Sequence, residues 1–201
     1  MKLYHAPASP YARKVRTVIA EKGLTALVQE VTSEVYTDPA ELLAANPLGK
    51  IPVLITDEDM ALFDSPVICA YLDAHPEGKG APLTPLSGPD RWQVMRGEAL
   101  GDGLMDLGLY LISEKRKPEG EKSPTLTARR HDQLERTLDA AYSFVSGLPE
   151  TFNLGHIAIA CGLGYLDFRH DEIGWRNGRD HLAAWYAEIA TRSSLAATAP
   201  V

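Results

Sequence analysis

Apolar and polar positions follow two different rhythms along this chain, and the rhythm changes once. Up to about residue 75, short apolar runs alternate with amphipathic stretches. Residues 2–5 predict a strand. Residues 10–22 predict a helix, with Val15, Val18 and Ile19 at i, i+3, i+4 spacing and Gly23 as its stop. Residues 27–31 (LVQEV) predict a second strand, and a loose helical or loop stretch runs on to Asn46. Residues 53–56 (VLIT) and 60–63 (MALF) flank Asp57-Glu58-Asp59, a pattern that suits a hairpin. A helix follows from Pro66 to about Ala74. The order βαβ and then ββα predicts a small mixed sheet covered by helices.

Residues 75–90 (HPEGKGAPLTPLSGPD) hold four prolines and three glycines, which excludes a helix or a central strand and predicts a linker. Beyond it the pattern is helical. Segments near 90–116, 124–146, 154–169 and 179–191 carry apolar residues at i, i+3, i+4 spacing, for example Leu134, Leu138, Ala141 and Val145, or Leu182, Trp185, Tyr186 and Ile189. The expected organisation is an α/β domain over residues 1–75, a linker over 76–89 and an all-α domain over 90–201.

Composition narrows the function classes. The chain has 201 residues, 45% hydrophobic and 23% charged, a balance that excludes a largely disordered chain. A net charge of −7 argues against nucleic acid as a partner. No apolar run approaches the ~18 residues that span a bilayer, and the first residues lack the apolar stretch of a secretory signal. Cys69 and Cys161 are far apart in sequence, which excludes a disulfide scaffold and favours the cytoplasm. The six histidines include no i, i+4 pair, so no metal site is expected. A Walker-type phosphate loop and a G-x-S-x-G elbow are both absent from the sequence.

The candidate chemistry starts with Ser9-Pro10 and Ser65-Pro66, which open the first helix and the helix after the hairpin. Ser caps helices well and Pro suits the first helical position, so plain capping accounts for both. Helix N-termini also attract anions. Arg13, Lys14 and Arg16 fall in the first two turns, where cations oppose the helix dipole. A bound anion would offset that cost; solvation, or pairing with another subunit, is the alternative. In Asn46-Pro47-Leu48-Gly49-Lys50-Ile51-Pro52-Val53-Leu54, Pro52 immediately precedes a strand. It is a candidate cis peptide that would expose the Ile51 backbone to an extended ligand, or simply the end of a loop. The helix near 90–116 carries Gly97, Gly101, Gly103 and Gly108, which imply close approach by a ligand, another chain or a neighbouring helix. It also carries Asp102 and Asp106, placed to face a ligand amino group, the basic turn at Arg13–Arg16 or water. Met105, Leu109, Tyr110 and Trp175 are candidate walls of an apolar pocket, with core packing as the alternative.

Together, Ser9-Pro10-Tyr11-Ala12-Arg13-Lys14-Val15-Arg16, the 46–54 segment and Asp64-Ser65-Pro66-Val67-Ile68 resemble, in order and spacing, the three glutathione-site motifs of cytosolic glutathione S-transferases. Residues 157–169 (IAIACGLGYLDFR) resemble the core helix of the same family, and the likeness is greatest to its small bacterial YibF-like members. The resemblance implies a thioredoxin-like N-terminal domain, an all-helical C-terminal domain, a homodimer, and glutathione as co-substrate. By position, Ser9 would hydrogen-bond the glutathione sulfur, the Ile51 backbone would pair with the cysteinyl unit beside a cis Pro52, Ser65 would hold the γ-glutamyl carboxylate with Asp64 beside it, and Lys50 would reach the glycyl end. The implied reaction is transfer of glutathione to a small apolar electrophile. The same site suits peroxide reduction or dehalogenation, and some proteins of this fold are regulators that bind a protein partner. Members with Cys at position 9 form mixed disulfides; Ser9 disfavours that chemistry. Two departures stand out. The family often has Glu where Asp64 stands. Its core helix also opens with a capping box ending in Asp, where this chain has Asn153-Leu154-Gly155-His156. The imidazole cannot replace that carboxylate, which predicts a cost in helix stability.

Overall fold

The computed structural model describes residues 1–34, 37 and 39–200. The loose stretch expected before Asn46 therefore lies partly outside the described residues. Contacts divide the chain into two compact units, Met1–Leu86 joined by the segment from Ser193 onward, and Ser87–Arg192.

Unit 1 is built on β1 (Lys2–His5), β2 (Gln29–Thr32), β3 (Val53–Ile55) and β4 (Ala61–Leu62), in the order β2-β1-β3-β4. β1 runs parallel to β2 and antiparallel to β3, and β4 is antiparallel to β3. The parallel pair is joined through α1 (Pro10–Glu21), since parallel strands need a crossover connection. α2 (Ala40–Ala45) precedes β3, and α3 (Ser65–Asp73) follows the hairpin. This is the thioredoxin-like mixed sheet anticipated above. Three boundaries differ. The second strand starts at Gln29 because Thr25–Leu27 close a 3-10 turn. β4 is only two residues long. α3 starts at Ser65, with Asp64 at the N-cap position.

The basic residues of α1 belong to the packing of unit 1. Arg16 makes a bidentate pair with Glu30, at 3.0 and 2.9 Å. Arg13 is buried and donates from Nη2 to the Leu195 carbonyl at 3.1 Å, and Lys14 is fully buried. Arg13 and Arg16 thus each have a partner inside unit 1, although Arg13 Nε and Nη1 are buried without one. Leu195 lies on α8 (Ser193–Ala197), a short helix that the sequence pattern did not suggest. Ser194 donates to Glu21 and Thr17 meets Thr198, just beyond α8, at 3.1 Å, so α1 is joined to α8 and to the residue after it.

Unit 2 is helical: α4 (Pro89–Arg116), α5 (Pro124–Gly147), α6 (Leu154–Arg169) and α7 (Asp180–Ile189). Every residue from Leu154 to Leu166 is buried, as expected for a helix that is apolar on all sides. α4 crosses it closely. A Cβ on Gly101 would stand 2.3 Å from the Ala158 carbonyl carbon, and one on Gly162 would stand 2.8 Å from Leu104 Cβ. Gly97 and Gly108 also face residues of unit 2, whereas Gly103 faces open space. Three of the four α4 glycines are thus explained by packing inside this unit and carry no argument for a dimer. His170 is fully buried and donates from Nε2 to the Gly108 carbonyl at 2.8 Å, tying the end of α6 to α4. Met105 and Trp175 are core residues, with 0% and 2% exposure. Trp175 donates to Asp167 at 2.7 Å. They are not pocket walls; Leu109 keeps 39% exposure.

Burial holds three histidines, His5, His156 and His170, below the ordinary imidazole pKa, with His156 pushed down to about 4. The unfolded chain therefore takes up protons near pH 6.5 that the folded chain refuses, and stability falls as pH drops through that value. For His156 the loss between pH 7 and pH 5 comes to about 2 kcal/mol. Urea midpoints at the two pH values should show it, and His156→Gln should remove its share. Glu114 and Glu172, whose pKa values are lowered by Lys117 and Lys115, lose their stabilising contribution only below the carboxylate range.

Candidate glutathione site

Sheet register brings the three sequence motifs to one end of unit 1. Tyr4 pairs with Val53, so the chain leaving β1 after His5 and the chain entering β3 after Pro52 meet at the same edge. Leu62 pairs with Leu54, so the chain leaving β4 runs on toward that edge and enters α3 at Ser65. Ser9, Ile51-Pro52 and Asp64-Ser65 are gathered by topology, although they are far apart in sequence.

Each arm is fixed locally. The Ser9 N–H donates to the Ala6 carbonyl at 3.0 Å, closing the turn out of β1. Its backbone is extended and its Oγ accepts the Ala12 N–H at 3.3 Å, an N-cap on α1, with Pro10 at the first helical position. A hydroxyl has two acceptor sites and one donor, so this cap leaves the O–H proton available to a ligand anion.

The second arm hangs on Asn46, which is buried. Its side chain donates to the Lys50 carbonyl at 2.8 Å and accepts the Leu48 N–H at 3.0 Å, and its carbonyl accepts the Gly49 N–H at 2.9 Å. Gly49 has φ +63°, a left-handed turn that L side chains resist. The Ile51–Pro52 peptide is cis. The sheet ladder begins only at Val53, which leaves the Ile51 backbone outside it, and the Lys50 side chain is exposed.

The third arm corrects an expectation. Ser65 is not the cap of α3: Asp64 holds that place, with no side-chain capping bond, and Ser65 and Pro66 are the first two helical residues. Ser65 is 2% exposed and Asp64 is exposed. The first-turn N–H groups of α3 are not capped by the Asp64 carboxylate, so that end of the helix keeps its anion-attracting dipole.

Beneath this edge, buried His5 lies 3.4 Å from Glu30, which is shared with Arg16. Burial lowers the His5 pKa, Glu30 opposes this, and Arg16 adds to it. Sequence reasoning did not single out Asn46 or Glu30. The short Asn-Pro-x-Gly spacing was the available signal for the first, since Asn readily bonds the backbone two residues on.

Residues 3–80 match the sequence model of the glutathione S-transferase N-terminal domain, and residues 124–188 match that of the C-terminal domain. The chain belongs to the glutathione S-transferase family. It is 35% identical to the uncharacterized GST-like protein YibF of Escherichia coli, over 100% of this chain and 98% of that one. Its fold is shared with a glutathione transferase family member from Pseudomonas fluorescens crystallised with bound glutathione, at 37% identity and a TM-score of 0.93, covering 100% of this chain and 98% of that one. A glutathione S-transferase from Methylobacillus flagellatus, also with glutathione bound, superposes with a TM-score of 0.91 at 38% identity, covering 100% and 99% of the two chains. The two-part glutathione S-transferase architecture, an α/β thioredoxin-like unit and an all-α unit, is thus shown by sequence and by structure.

Proposed function

We propose that the chain is a glutathione transferase that holds glutathione at the edge formed by Ser9, Ile51-Pro52 and Asp64-Ser65. The observation that carries this reading is the convergence of those three motifs on one end of the sheet, in a family whose similar solved members bind glutathione. Ser9 donates its O–H to the glutathione thiolate. The Ile51 backbone pairs with the cysteinyl unit beside Pro52. Ser65 and the α3 N-terminus take the γ-glutamyl carboxylate, with Asp64 near the amino group. Lys50 attracts the glycyl carboxylate. The thiolate attacks an apolar electrophile, forming a carbon–sulfur bond as the leaving group departs with its electron pair. The reading extends to a homodimer, and to a reducing cytoplasm in which buried Cys69 and Cys161 stay as thiols.

Magnitudes set what Ser9 contributes. Lowering a thiol from about 8.5 to about 6.5 raises the thiolate fraction at pH 7 from about 3% to about 76%. Nucleophilicity falls about 6–10-fold over the same interval, so the net gain is only about 2–4-fold. Most acceleration must come from holding the electrophile against the sulfur.

The test is the ultraviolet absorbance of bound glutathione thiolate against pH. In the native protein the thiol should titrate one to two units below free glutathione, and in Ser9→Ala it should return to within half a unit of the free value. Absence of glutathione binding, or binding with an unshifted thiol, would overturn the transferase mechanism and favour a regulator of this fold that acts through a protein partner.

A further inference from the structure

Cations in the first two turns of α1 oppose the helix dipole. Arg16 is answered there by Glu30. Arg13 is answered by no anion. Its guanidinium is buried. Nη2 donates to the neutral Leu195 carbonyl at 3.1 Å, and Nε and Nη1 are enclosed without a partner. Among the described residues it has no carboxylate partner. An arginine side chain stays charged across the working range of pH. A buried charge without a counter-charge costs stability, and an apolar side chain of similar volume would pack at less cost. Such a charge points to an anion that the chain itself does not supply.

The place of Arg13 on α1 says which anion. Side chains four apart on a helix lie over one another, with Cβ atoms roughly 5–6 Å apart, and lean toward the N-terminus. The Arg13 N–H donates to the Ser9 carbonyl at 3.0 Å, so Arg13 stands one turn behind Ser9 on the same face of α1. Thr17 and Glu21 continue that face, and both are covered by the segment from Ser193 onward, Thr17 by Thr198 and Glu21 by Ser194. Ser9, at the open end of the stripe, is half-buried. A sulfur held at Ser9 Oγ is therefore the first point along the stripe where a ligand anion can stand.

The guanidinium reaches that point by its field, since its own nitrogens stay enclosed. Buried charges are screened little by salt, and a nearby opposite charge favours the ionised form of an acid. The charged groups about Arg13 do not cancel it. α8 has no titratable side chain. Glu21 lies two turns on and accepts the Ser194 hydroxyl. Asp73 of α3 is paired with Lys22, and Glu30 of β2 with Arg16. Lys14, the next residue on α1, is of the same sign.

We propose that Arg13 is the fixed cation of the glutathione site: set one turn behind Ser9, it keeps the sulfur ionised by its field while the Ser9 hydroxyl holds the sulfur in place. The thiol proton goes to solvent and the sulfur keeps the electron pair. This role rests on the transferase reading, since it needs the glutathione sulfur at Ser9. The field weakens with distance, so Arg13 acts only on a sulfur that Ser9 has placed, and Ser9→Ala removes both contributions.

The absorbance titration of bound thiolate tests it. In Arg13→Met the thiol should titrate about half a unit or more above its native value, about a threefold loss in ionisation constant. Arg13→Lys keeps the charge and should fall between Arg13→Met and the native protein. Thr17→Val loosens the same contact of α1 with the C-terminal segment but keeps the cation, so its thiol should titrate as in the native protein. Ser9→Ala combined with Arg13→Met should match Ser9→Ala alone. In the unaltered protein, the nitrogen-15 resonance of Arg13 Nε should move as bound glutathione ionises and stay still over the same pH range with S-methylglutathione, which makes the readout independent of how the variants fold. A native value in Arg13→Met, an equal rise in Thr17→Val, or an Nε resonance indifferent to the thiol's ionisation would each overturn the role of Arg13 and leave the transferase reading standing. An unshifted thiol in the native protein would remove that reading, and the role of Arg13 with it.

Discussion

Asp73→Ala is expected to destabilise the protein by about 3–5 kcal/mol, the cost of leaving a buried charge without its partner. Asp73 ends α3 and pairs with Lys22 at 3.2 Å, and the two side chains are only 9% and 4% exposed. The same carboxylate accepts the Leu83 and Thr84 N–H groups at 2.8 and 2.9 Å. Removing it strands an ammonium whose remaining contact is the Ala81 carbonyl, and unpairs two backbone donors. Asp73→Asn keeps an acceptor and should cost less. Lys22→Met combined with Asp73→Ala should cost clearly less than the sum of the single changes, since the pair is coupled. Urea unfolding of the four variants measures this, and a loss under 1 kcal/mol for Asp73→Ala would show that the pair is solvated. Because α3 begins at Ser65, the destabilised variant should also bind glutathione more weakly if that residue holds the γ-glutamyl carboxylate.

Gly101→Ala is expected to cost about 3 kcal/mol or more, at the upper end of overpacking penalties. Its added methyl would stand 2.3 Å from Ala158 carbonyl carbon and 2.5 Å from Ile159 N, backbone atoms with no rotamer to adopt. α4 and α6 would have to separate. Helix propensity alone predicts the opposite, a gain of about 1 kcal/mol for alanine over glycine. Gly103→Ala isolates that gain, since nothing lies within 4 Å of the added atom. The two substitutions, two residues apart on one helix, should shift the thermal midpoint in opposite directions. A midpoint raised in both would mean that the crossing is looser than described.

Those two glycines mark the limit of what the pattern of residues could say. Spacing placed α1, α4, α5 and α6 to within a residue or two, because long amphipathic or apolar periods survive local exceptions. It could not say which neighbour each α4 glycine touches, since that is decided by residues more than fifty positions away. The partners of Arg13 and Arg16 were hidden for the same reason: they are Leu195 on α8 and Glu30 on β2, neither of which the local sequence announces. α8 itself is five residues of Ser, Leu and Ala, too short for any periodicity. Ser65 was misplaced by one position because capping depends on the backbone of Asp64, not on side-chain preference. The candidate site was legible in outline because its residues sit in short fixed motifs. The role of Asn46 was not, because its place at the head of the second motif does not say that its side chain is buried and bonds the Lys50 carbonyl and the Leu48 N–H.

The strap from Ser193 onward gives the molecule a direction in time. Unit 1 begins at Met1 but includes residues that follow the whole of unit 2. During synthesis the sheet, α1 and the helical unit all leave the ribosome before Leu195, the residue whose carbonyl receives the buried Arg13. Until then the Arg13 guanidinium lacks its Leu195 acceptor, so the edge that carries Ser9 sits on an unfinished support. A released chain that ends at Arg192 should show a more protease-sensitive unit 1 than the full chain, because Arg13 then lacks the Leu195 carbonyl.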